Sequence, residues 1–146
     1  MNEPSPLPPI PNYQEEPTIN TTIKSQWIAA LRSGDYKQGR GWLRTDNYYC
    51  CLGVLCDLHS KANPDHRQSW RPMCNYIDPL EKEYIEYIYA YGKSTTSLLP
   101  DDVQRWAGIG CSDPDIVVDN EALILSQLND RGYTFEQIAK HIEEQL

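Results

Sequence analysis

Apolar residues recur along this chain with two rhythms, one close to 3.6 residues and one close to two, interrupted by proline and glycine. Ile23, Trp27, Ala30 and Leu31 fall on one face at helical spacing, with Thr21 or Thr22 placed as N-cap and Ser33-Gly34 as the stop. Gly41 to Tyr49 reads as a short hairpin turning at Thr45-Asp46-Asn47. Cys51 to Ser60 reads as a helix, with Leu52, Leu55, Cys56 and His59 on a common stripe. Residues 61–79 carry Pro64, Pro72 and Pro79 and read as loop. Asp78-Pro79 suits a helix start, which predicts a helix from Leu80 to Tyr91 with Tyr84, Ile85, Tyr87 and Ile88 along it. Leu99-Pro100-Asp101-Asp102 opens a short helix through Trp106 that Gly108 stops, and Ile116 to Val118 reads as a strand. Asn120 to Asp130 reads as helix, and Arg131-Gly132 turns the chain. Thr134 and Gln137 then form a capping box for a last helix that buries Phe135, Ile138, Ala139 and Ile142. The expected fold class is α+β: a mostly helical single small domain over residues 21–146, with a short hairpin or small sheet.

A proline-rich extended arm at residues 1–20 precedes that domain. Six of the eleven prolines lie within residues 1–17, which excludes a helix or a central strand there. Leu7, Ile10 and Tyr13 give the arm apolar points with which to pack on its own domain or to build a homo-oligomer. No apolar run approaches the roughly 18 residues that span a membrane, and no signal-peptide pattern opens the chain, so a cytoplasmic protein without a membrane partner is expected.

Charge changes the picture more than composition does. The formal net charge is −8, yet Lys24 to Arg71 contains eight basic residues against four acidic ones, and residues 72–146 contain five against fourteen. Such a chain is a poor partner for double-stranded DNA, because self-repulsion offsets phosphate neutralisation. A small anionic ligand at the basic segment is compatible with it.

Cys50, Cys51, Cys56 and His59 lie within ten residues, and zinc, a reactive thiol and a buried helix face all accept that spacing. A structural zinc site needs a second close ligand pair, and His66, Cys74 and Cys111 supply none, so buried packing is the favoured reading and no metal is assigned. No cysteine-hydrolase signature surrounds Cys56 and His59, so no catalytic residue and no cofactor are assigned, and a non-enzymatic role is favoured. Leu125 to Ala139 has the rhythm of two helices of a helix-turn-helix, but Glu143-Glu144 would repel phosphate. Asp101-Asp102, Asp113/Asp115 and Asp119/Glu121 read as caps and solvated turns.

What remains is a glycine-punctuated basic segment, Asp35 to Arg44. Its glycines allow close backbone approach, and its guanidinium groups suit phosphates. Arg32, Lys37, Arg40 and Arg44 are the candidate phosphate ligands, and Tyr36, Trp42, Tyr48 and Tyr49 the candidate stacking partners. Asn129 and Asp130 are polar groups that could complete the site.

The strings WIAALRSGDYKQGRGWLR, YCCLGVLCDL, LPDDVQRWAG and LNDRGYTFEQIAKHIEEQL, in this order, resemble a family of small bacteriophage accessory proteins. The resemblance implies action in the host cytoplasm. It also implies a counter-defence role of the kind in which a small nucleotide-type immune signal is sequestered. The alternative it implies is a protein-interaction module that inhibits a host protein or joins a phage assembly.

Overall fold

The computed structural model describes residues 18–64, 69–73, 80, 82–89 and 93–146. Within them lie five helices and eight short strands: α1 (Thr21–Arg32), β1 (Lys37–Gln38), β2 (Arg44–Thr45), β3 (Tyr48–Tyr49), α2 (Cys51–Ala62), β4 (Ser69–Pro72), β5 (Tyr84–Ile88), β6 (Ser94–Thr95), α3 (Asp101–Ala107), β7 (Asp115–Val118), β8 (Glu121–Ile124), α4 (Leu125–Asp130) and α5 (Phe135–Gln145). Residues 1–17 of the arm, its role in a homo-oligomer, and the Asp78-Pro79 helix start fall outside the described residues. Among the described residues, no helix is long and apolar enough to cross a membrane.

The helical framework follows from the apolar stripes. α1 buries Ile23, Trp27, Ile28 and Leu31, and Asn20 caps it in place of either threonine, its Oδ1 accepting the Ile23 N–H at 3.0 Å. α5 buries Phe135, Ile138, Ala139 and Ile142 under the expected Thr134/Gln137 capping box and packs against α1. α2 is buried from Cys51 through Asp57, and a helix apolar on nearly all sides belongs at the centre. The Trp27 indole N–H donates to the Cys51 carbonyl at 3.0 Å and ties α1 to it. At Gly53 the backbone of Leu43 lies so close that a Cβ would sit 1.9 Å from the Leu43 carbonyl oxygen. Only glycine lets the chain entering β2 press onto the helix.

Six strands form one sheet in the order β1-β3-β2-β5-β4, with β6 pairing on β5 off this path. β1 runs parallel to β3, and the other pairs are antiparallel. β7 and β8 form a separate hairpin. The domain is therefore mixed α+β, which corrects the expectation of a mostly helical one.

Two segments expected as helix are strand, and each has a local cause. In Tyr84-Ile85-Glu86-Tyr87-Ile88, Ile85 and Tyr87 are buried while the residues between are half-buried, a period of two carried by aromatic and β-branched side chains. The tyrosines satisfy helical spacing as well, but pairing with β2 and β4 buries them better. Further on, Asp119 and Asn120 adopt φ of 51° and 65°. Two successive left-handed residues make a tight turn whose twist matches that of the flanking strands. The chain thus folds back as β8, and only Leu125–Asp130 of the expected Asn120–Asp130 helix is helical. Beside β7, Gln145 of α5 presents its amide to Val117. The Val117 N–H donates to Oε1 at 2.8 Å, and Nε2 donates to the Val117 carbonyl at 2.9 Å.

Candidate binding cleft

Residues 39–43 must carry the chain from β1 to β2, and polar side chains from the far end of the domain pin them. Gln38 donates from Nε2 to Asn129 Oδ1 at 3.0 Å and to the Tyr133 carbonyl at 2.7 Å, while its Oε1 accepts the Phe135 N–H at 3.1 Å. Asn129, fully buried, donates from Nδ2 to the Gly39 carbonyl at 2.7 Å, and its Oδ1 also accepts the Cys51 N–H at 3.1 Å. Asp130 accepts the Gly41 N–H at 2.9 Å. Gly39 lies flat on β3, where a Cβ would meet Tyr48 Cβ at 2.9 Å. Leu43 closes the span: it is fully buried, its N–H donates to the Thr96 carbonyl at 2.7 Å, and its carbonyl accepts the Cys50 N–H at 3.1 Å. A loop held at so many points presents the side chains of Arg40 and Trp42 from a fixed backbone.

Those two side chains line an open cleft of about 440 Å³ together with Gly39, Thr45, Asp46, Tyr48, Lys82 and Tyr84. Its volume lies within the range of small-molecule sites. The Trp42 and Tyr84 rings contact each other at 4.5 Å between centroids, tilted by 50°, and Tyr48 is 47% exposed. Arg40 and Lys82 take part in no ion pair or hydrogen bond among the described residues. The Lys37 ammonium lies 5.9 Å from the Tyr48 ring centroid and adds a third cation to this side of the sheet. Asp46, at φ 51°, turns β2 into β3 and accepts the Glu83 N–H on Oδ1 at 2.8 Å.

The remaining sequence candidates stand elsewhere. Arg32 bridges to Glu136 at 3.1 Å and Glu143 at 2.7 Å on α5, and the hydrogen bond to Glu143, first among several causes, raises its pKa further. Arg44 donates from Nε to the Asp46 carbonyl and lies over the Tyr49 and Trp70 rings, 5.1 and 5.6 Å from their centroids. Tyr36 donates to Asp57 Oδ2 at 2.5 Å, and burial followed by this carboxylate pushes its pKa up to about 12. The same buried carboxylate accepts from Trp70 Nε1 and pairs with Lys61, both at 3.0 Å. Of the ten candidates, then, Arg40, Trp42 and Tyr48 meet in the cleft, Lys37 flanks it, and Asn129 and Asp130 hold the loop that carries it. Arg32, Tyr36, Arg44 and Tyr49 are engaged in fixing the fold.

Sequence reasoning missed Asp46, Lys82 and Tyr84 as cleft residues. A period-two reading of residues 84–88 would have placed Tyr84 beside Thr45, with which it pairs.

The cysteine cluster is packing. Cys50 caps α2, its Sγ accepting the Gly53 N–H at 3.4 Å, and burial pushes its thiol up to about 12. Burial also raises the thiols of Cys51 and Cys56, so none of the three offers a thiolate at neutral pH. His59 is buried and bonded through Nδ1 to the Tyr87 hydroxyl at 2.8 Å.

A family model described as "Domain of unknown function (DUF8296)" matches residues 19–146. The chain belongs to this family. The match spans every described element from the Asn20 cap to α5, so pinned loop and cleft both lie inside the family's domain. No curated protein and no solved structure matches the chain.

Proposed function

We propose that this domain binds a small anionic ligand carrying a planar ring, of the nucleotide type, in the cleft between residues 39–42, the β2–β3 turn and the start of β5. One observation carries the reading. Two cationic side chains without ion-pair or hydrogen-bond partners among the described residues, Arg40 and Lys82, share a cleft of about 440 Å³ with the aromatic rings of Trp42, Tyr48 and Tyr84. An unpaired guanidinium grips phosphate oxygens in pairs, and aromatic faces accept any base, at about 1–3 kcal/mol per stacked base. The described residues that line the cleft include no cysteine, serine or histidine, and the proposed ligand is held and released intact. Combined with the resemblance to phage accessory proteins, this becomes sequestration of a host nucleotide signal.

Titration calorimetry of the folded protein against cyclic di- and trinucleotides and ADP-ribose derivatives tests it. Binding of at least one member is expected, weakened at least tenfold by Arg40→Ala or Lys82→Ala, with the ligand recovered unchanged after denaturation. A folded protein that binds none of the panel refutes the reading.

A further inference from the structure

The cleft intended for an anion contains a carboxylate. Asp46 lines it, and no ion pair joins Asp46 to Arg40 or Lys82 among the described residues. The fold asks little of this charge. Asp46 Oδ1 accepts the Glu83 N–H at 2.8 Å, a bond that the carbonyl oxygen of asparagine would make equally well. The left-handed φ of 51° also suits asparagine at least as well as aspartate. The second carboxylate oxygen has no hydrogen-bond partner among the described residues. Beside a phosphate, a free carboxylate is repulsive, unless the ligand brings hydrogen-bond donors to that point.

We infer that Asp46 selects guanine among the bases, its carboxylate accepting from the adjacent imino and amino N–H groups while Trp42, Tyr48 and Tyr84 supply stacking. This rests on the nucleotide reading of the cleft and narrows it to one base. Adenine presents an acceptor where guanine presents its imino donor, so it would meet the carboxylate with a lone pair. Hypoxanthine keeps the imino donor and lacks the amino group, and it falls between the two. A paired donor contact of this type discriminates bases by about 5–150-fold, taking the usual 1–3 kcal/mol per bidentate contact.

The experiment compares GDP, IDP and ADP by calorimetry on the parent protein and on Asp46→Asn. GDP is expected to bind at least about tenfold more tightly than ADP, with IDP between. Asp46→Asn should melt with the parent, bring GDP and ADP within about threefold of each other, and bind ADP no more weakly than the parent does. Equal parent affinity for GDP and ADP overturns this inference and leaves the cleft reading standing, as does a GDP preference that survives Asp46→Asn. Failure of all three nucleotides to bind overturns this inference, and the cleft reading falls with it only if the cyclic nucleotides and ADP-ribose derivatives also fail to bind.

Discussion

Asn129→Ala is the sharpest test of how the cleft is built. Asn129 was a ligand candidate by sequence, whereas in the structure its Oδ1 accepts from Gln38 and Cys51 and its Nδ2 donates to the Gly39 carbonyl. In the variant, the Cys51 N–H at the start of α2 and the Gly39 carbonyl lose their partners. Gln38 keeps its bonds to Tyr133 and Phe135 and stays anchored. Two buried main-chain groups stranded at about 1–3 kcal/mol each give a loss of about 2–6 kcal/mol. At about 3 °C per kcal/mol for a chain of this size, Tm should fall by about 6–18 °C. Urea unfolding followed by tryptophan fluorescence measures the loss directly. Arg40→Ala, a surface truncation, should stay within about 0.5 kcal/mol of the parent while losing ligand. Asn129→Asp adds a diagnostic slope. Its carboxylate keeps both acceptor roles and cannot donate to the Gly39 carbonyl, so burial raises its folded pKa above the unfolded value. Stability of that variant is then greatest below the unfolded pKa and is lost as pH rises through the folded one. A stability for Asn129→Ala within about 0.5 kcal/mol of the parent would show that the clamp does not hold the loop.

Gly53→Ala should cost more than about 2 kcal/mol, because its methyl would sit 1.9 Å from the Leu43 carbonyl oxygen. Gly34→Ala, at φ +80° with open space around it, should cost only the backbone strain of about 1 kcal/mol; paired melting curves separate the two. Asp113 has its pKa raised, first by burial, and one of its oxygens is buried without a hydrogen-bond partner among the described residues. Its contribution to stability is therefore full below the unfolded pKa and declines as pH rises through the folded value. Asp113→Asn should be more stable than the parent at pH 7 and should flatten that decline; a parent-like pH profile would contradict the assignment. Ligand entering the cleft should change tryptophan emission, and Trp42→Phe should abolish the change although Trp27, Trp70 and Trp106 remain.

Elements whose signal is local could be read from the sequence. α1, α2, α3 and α5 follow from apolar stripes and flanking caps, and the β2–β3 hairpin from its Asp46-Asn47 turn. β5 could not be read with the same ease, since Tyr84, Ile85, Tyr87 and Ile88 satisfy a helical and a strand period at once. The choice is made by β2, some forty residues earlier, whose Arg44 and Thr45 pair with Ile85 and Tyr84. β8 was hidden for a different reason: Asp119-Asn120 looks like a helix cap until both residues turn left-handed. The cleft inherits the first difficulty. Arg40 and Trp42 were legible as a cationic and aromatic pair, while Lys82 and Tyr84 reach them only through non-local pairing. Charge counting could not tell Arg40 from Arg32, because the acids that engage Arg32 lie more than a hundred positions away.

The amide of Gln145 against Val117 bears on how this molecule lives in a crowded solution. A strand whose outer N–H and C=O are unmet is a template on which another chain can add, and Val117 is 55% exposed beside such a rim. By offering one acceptor and one donor in the spacing of a peptide unit, Gln145 stands in for the neighbouring strand that is not there. At Val117 the outer edge of β7 is thus covered by a single side chain, and the helix that carries it serves the edge of the hairpin as well as filling the core.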